Sequence, residues 1–171
     1  MSDILTWARS VLTTTPNRWQ DLITTLPTAL LTLPPSPGEW SAVECLQHLC
    51  DTDRLVFPVR VRYLLAETDF PAFDPDAQGS APVASQTPAD VAAEFARLRR
   101  AAFVTFDQVT VADLTKRARH QELGMVTLSE LLHEWAAHDL MHTVQAERAL
   151  MQPFIRGCEP WRAYFADHIA A

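Results

Sequence analysis

The chain has 171 residues, a formal charge of −7, and fourteen basic residues that are all arginine except Lys116. This length suits a single domain, 1–171, that buries its own core without staples, and three cysteines (Cys45, Cys50, Cys158) with no CxxC give no disulfide framework. The acidic balance argues against a nucleic-acid partner, and no run of eighteen apolar residues or signal-type segment appears, so no membrane is expected and the chain reads as cytoplasmic.

Twelve prolines and four glycines leave long stretches without a breaker, and no convincing strand alternation lies between them. An all-α architecture is therefore expected. From Asp3 to Leu31 the apolar positions have helical spacing, but Pro16 and Pro27 predict a broken or kinked first helix. The prolines of 33–38 then make a connection. Ser41 and Glu44 have the spacing of a capping box, with Trp40 placed to staple against the first turn, and predict a helix from 41 to about 67. Pro58 inside it should kink the helix near Arg54 without dividing it.

The segment 69–86 has no period and reads as an exposed connection, with a place over the mouth of a pocket as the alternative. Thr87-Pro88 opens a helix over 88–110, on which Arg97, Arg99 and Arg100 read as a solvated face. Val111 to Met125 is short and polar. Thr127 and Glu130 form a further capping box, opening a helix over 127–152 that Pro153 should stop. Pro160 then starts a short terminal helix expected to bury the aromatic side of Trp161, Tyr164 and Phe165.

Steps of three and four from Leu128 reach Leu131, Trp135, His138, His142, Gln145 and Ala149, so one helical seam carries two histidines at i and i+4. Two imidazoles at that spacing can grip one cation from the same side. Two hydrogen-bonded core histidines fit this helix equally well, and a third ligand would decide between them. The same stepping along the earlier helix places His48 on a seam with Ser41, Cys45 and Thr52, from which it can face the pair. His133 points away from the pair, and His120 and His168, in a loop and near the C-terminus, are poorly placed for it.

The stretch from Gly38 to Asp53 (GEWSAVECLQHLCDTD) and that from Thr127 to Gln145 (TLSELLHEWAAHDLMHTVQ) resemble the two signature regions of the DinB-like superfamily. The resemblance implies an up-and-down four-helix bundle with a long crossover connection. It also implies a three-histidine site for a divalent metal, usually nickel, zinc or iron, with His48, His138 and His142 at the matching positions. Asp53 stands where the family often has glutamate. Further implications are a homodimer and a small-molecule substrate, in some members a low-molecular-weight thiol such as mycothiol or bacillithiol.

Three neutral imidazoles leave a coordination position open, the arrangement of a catalytic metal. A metal-dependent thiol S-transferase or a related hydrolase is expected, with a noncatalytic metal- or ligand-binding bundle as the alternative; no catalytic side chain is identifiable. Gln145 reads either as orienting a ligand or as a surface glutamine. Asp139 reads as solvated or as serving a neighbouring helix, with direct ligation as its alternative. Cys45 reads as buried, with a fourth-ligand or nucleophile role as its alternative, and Trp40 and Trp135 as packed, or else as walls of a pocket.

Overall fold

The structure, a computed structural model, describes residues 3–74 and 86–170. In chain order its helices are α1 (Ile4–Thr25), the one-turn α2 (Thr28–Leu31), α3 (Ala42–Leu55), α4 (Phe57–Leu65), α5 (Pro88–Phe106) and α6 (Leu128–Gly157). Short 3₁₀ segments occupy Val111–Thr115 and Trp161–His168. Apolar side chains form two layers. One joins the start of α1 (Ile4, Ala8, Leu12) to the end of α4 (Val61, Leu64), the end of α5 (Ala102, Phe106) and the start of α6 (Leu131, Leu132, Trp135). The other joins the opposite ends through Trp19, Leu46, Leu49, Phe95 and Leu150.

The helical units therefore run up, down, down, up. Helix α1 packs on α5 and α6, as does α3, so α1 and α3 lie across a diagonal. Because α4 and α5 are parallel, the connection between them must return the length of the bundle, which is the expected crossover. The expectation of an exposed connection over a pocket mouth falls largely on 75–85, outside the described residues. No helix among the described residues is long and apolar enough to cross a membrane.

All three long helices after the first begin where local chemistry places them. The Glu44 carboxylate accepts from the Ser41 N–H at 2.8 Å, and that of Glu130 accepts from the Thr127 N–H at 2.7 Å, each reciprocated by the hydroxyl at the cap. Thr87 and Asp90 repeat the arrangement. Helix ends depart further from expectation. Helix α5 stops at Phe106, short of 110. The expected single helix over 41–67 is two segments, separated at Val56 (φ −114°, ψ −79°). Pro58 has no N–H for the carbonyl of Arg54, and its ring crowds that turn.

Conversely, α1 runs unbroken through Pro16, and α6 passes Pro153 to reach Gly157. The expected break in the first helix therefore falls at Pro27, between α1 and α2, and not at Pro16, and the expected stop at Pro153 is corrected. Pro16 deprives the Leu12 carbonyl of its helical donor, and Arg99 Nη1 donates to that carbonyl at 2.9 Å. Beyond Pro153, burial of Ile155 keeps the last turn of α6 on the bundle.

Arg99 also corrects the solvated-face reading: it is 2% exposed. Its guanidinium donates to Asp53 on α3 (Nε–Oδ2 2.7 Å) and to Asp139 on α6 (Nη1–Oδ2 2.6 Å). One side chain of α5 thus ties the other three long helices together between the two apolar layers. Burial pushes the Asp53 carboxyl up to about 6 against the pull of Arg99.

The polar stretch before α6 contains a hairpin the sequence does not signal, β1 (Arg117–His120) antiparallel to β2 (Gly124–Thr127). Its strands are only four residues long, and Gly124 supplies the positive φ (+77°) at the turn. At the C-terminus, Trp161 and Tyr164 are exposed, against the expectation that their aromatic side would be buried. Polar bonds dock the tail instead: Gln152 Nε2 donates to the His168 carbonyl, and Arg148 Nη2 to that of Ile169.

Candidate metal centre

Helix α3 carries His48 and α6 carries His138 and His142, and the antiparallel packing of α3 on α6 brings the three rings together. One ring nitrogen of each lies within 4.8 Å of the others. His48 Nε2 and His138 Nε2 are 3.1 Å apart. Two nitrogens that each stand about 2.0–2.1 Å from one tetrahedral ion are separated by about 3.3 Å, so this spacing fits a shared cation. His133, in contrast, is exposed and bonded to the Ser129 carbonyl, away from the cluster.

The rings are held neutral. Burial lowers His48 to about 4 and His138 to about 3, and it lowers His142 as well. Neutral imidazole is the form that offers a lone pair to a metal. His142 Nδ1–H donates to Gln145 Oε1 at 2.8 Å, which fixes the proton on Nδ1 and leaves Nε2 as an acceptor. Gln145 therefore orients the His142 ring. His138 is set by packing, with Phe57 edge-on at 5.1 Å, and its buried Nδ1 has no partner among the described residues.

The two carboxylates around Arg99 give this geometry its rigidity. Asp139 follows His138 directly but lies on the adjacent face of α6, and Asp53 lies beyond His48 on α3. Bonding both to one guanidinium fixes the relative rotation of the two helices that carry the three histidines. Asp139 thus serves a neighbouring helix, and Asp53, which in the sequence shows only as a departure from the family pattern, is half of the same clamp.

Trp40 lies against the cluster, stacked on His142 at 5.9 Å and tilted on His48 at 5.0 Å, so it walls the site. Trp135 belongs to the core, stacked on Phe57 at 5.2 Å. Cys45 is fully buried in the apolar layer, where burial pushes its thiol up to about 12, and it lies outside the group of converging side chains. Two cavities flank the histidines. One, of about 410 Å³, is bounded by Trp40, His142, Gln145 and Arg148. The other, of about 230 Å³, runs from His48 and His138 to Arg60, His120 and Glu134.

His120, poorly placed along the chain to join the pair, thus lines the same space. The hairpin, bridged to Phe70, carries it there. Arg60, on α4, has no sequence signal at all.

Gln145 provides a direct test of the ring geometry. In Gln145→Leu the bundle should keep its helical circular dichroism while affinity for a divalent metal falls by about 10–100-fold, as measured by competition with a chromogenic chelator.

No curated protein sequence matches the chain. Among solved structures it is similar to YfiT from Bacillus subtilis, described as a probable metal-dependent hydrolase with an unusual four-helix bundle topology. The TM-score is 0.74 and the identity 17%, over 90% of each chain. The sequence itself matches the DinB superfamily over residues 12–146, a span that includes all three clustered histidines. With the match covering most of its length, the chain belongs to the DinB superfamily.

Proposed function

We propose that His48, His138 and His142 bind one divalent ion, nickel, zinc or iron, and that the chain is a metal-dependent enzyme acting on a small molecule. The convergence of three neutral ring nitrogens within 4.8 Å, with cavities on both sides, carries this reading. A divalent ion held by three imidazoles supplies Lewis acidity and an open position for water or a thiol, which suits hydrolysis and thiol transfer alike. The description of YfiT as a probable metal-dependent hydrolase agrees with the first.

The side chains have distinct tasks in this reading. The three histidines present lone pairs, and Gln145 holds the His142 proton on Nδ1. Trp40 and Phe57 pack against the rings and hold their planes. Arg99 keeps α3 and α6 in register. Elemental analysis of protein purified without an affinity tag should find about one transition metal per chain. Turnover of small electrophiles, measured with and without a low-molecular-weight thiol, then separates transfer from hydrolysis. Protein that binds no transition metal would remove the proposal.

A further inference from the structure

We propose that Arg60 and His120 form an oxyanion subsite that holds the carboxylate of a small, largely apolar acid beside the three histidines. As a statement about substrate it rests on the function proposed above; as a binding site it does not. The backbone around His120 determines where that ring carries its proton. This side chain is 5% exposed, and its Nδ1 accepts from the backbone N–H groups of Glu122 at 3.1 Å and Leu123 at 3.3 Å. A ring nitrogen that accepts has no proton of its own, so the neutral ring carries its proton on Nε2.

His120 Nε2 faces Arg60 Nη2 at 3.1 Å. Arginine is always a donor. Two N–H groups at that separation satisfy neither, and a buried donor left without an acceptor costs free energy. An acceptor lodged against both would satisfy both, and a carboxylate oxygen adds charge complementarity to the guanidinium.

No protein group among the described residues fills that role. Glu134 Oε1 is 3.7 Å from the other terminal nitrogen, Nη1, which is beyond hydrogen-bond reach, and its side chain is half exposed. The guanidinium is also held in place from behind, 5.6 Å over the Phe70 ring.

The surrounding space indicates what would carry the carboxylate. Arg60 and His120 line the 230 Å³ cavity that reaches His48 and His138, and also a second cavity of about 220 Å³ whose other walls include Phe70, Leu123, Val126 and Leu131. An acid anchored at Arg60 and His120 can place an apolar body in the second cavity and direct an adjoining carbon towards the histidines. A neutral analogue can offer a carbonyl oxygen to the same donors but lacks the charge that complements the guanidinium.

The test is calorimetric titration of the full chain with hexanoate and with its neutral analogue hexanamide, for metal-loaded and chelator-treated protein. A probe of this size is expected to bind in about the millimolar range. Hexanoate should bind both forms, at least about tenfold more tightly than hexanamide. Arg60→Met, which keeps the buried stem, should remove that preference without changing the circular dichroism. If Arg60→Met does not fold, Arg60→Lys serves, since it keeps the charge but loses the fork and should still weaken hexanoate by about tenfold.

Equal binding of acid and amide to the native chain, or no detectable hexanoate binding at about 20 mM, would overturn the subsite. So would hexanoate binding that survives Arg60→Met but vanishes in His138→Ala, which would put the carboxylate on the histidine centre and leave the metal proposal standing. Binding that survives His138→Ala and fails in Arg60→Met supports the subsite even if the centre proves to hold no metal.

Discussion

Replacing any one of His48, His138 or His142 by alanine is expected to release most of the bound metal while leaving the helical fold in place. The removal of partners that merely orient metal ligands costs about 10–100-fold in affinity, so loss of a ligand itself should exceed the upper end of that range. The fold should survive because the two apolar layers lie on either side of the cluster and do not depend on it. His133→Ala is the internal control, since its ring is bonded to the Ser129 carbonyl on the exposed side of α6. Metal stoichiometry and far-ultraviolet circular dichroism on the four variants decide the matter. Full retention after loss of His138 or His142, or equal loss after His133→Ala, would show that other groups bind the ion.

A second large effect is expected at Arg99. Arg99→Met removes the cation between Asp53 and Asp139, leaving two buried carboxylates facing each other and the Leu12 carbonyl without its donor. Breaking a buried ionic network from one side costs about 3–5 kcal/mol, a large part of the total stability of about 5–15 kcal/mol. For a chain of this size each kcal/mol lowers the melting temperature by about 2–4 °C.

The pH dependence of the variant carries the signature. Asp53 already has its carboxyl raised from 3.8 to about 6, and loss of Arg99 raises it further. A carboxyl whose folded value lies above its unfolded value contributes stability below the unfolded value and loses it as pH rises through the folded one. The deficit of Arg99→Met should therefore be largest near pH 8, shrink as the pH falls towards 6, and level off below it, where Asp53 is protonated in both proteins. Thermal melts across that range would contradict the network account if the deficit grew on acidification. Because the same network holds α3 against α6, the variant should also bind metal more weakly, although Arg99 touches no ligand ring.

Local chemistry makes much of the molecule legible in the sequence. The starts of α3, α5 and α6 depend on a hydroxyl and a carboxylate three residues apart, so nothing beyond the local segment is needed to place them. The i, i+4 spacing of His138 and His142 fixes their common face for the same reason. The third histidine is also within reach, because the seam of α3 turns polar at His48. Together with the resemblance of the two surrounding stretches to known signature regions, these features point to the family from the residues alone.

What only the tertiary structure decided depends on partners far away in the chain. Pro16 looks like a breaker when α1 is considered alone, but the carbonyl it deprives finds its donor in Arg99, 87 residues on. Arg99 likewise reads as a surface charge until α3 and α6 each bring it a carboxylate, since a buried guanidinium is tolerated only when it is fully paired. The hairpin of 117–127 has strands too short for alternation to register, yet with its bridge to Phe70 it turns His120 inward against Arg60. Sequence order carries the contacts made within a turn or two of helix; burial and ion pairing are set by which elements meet, and that is decided only when the bundle closes.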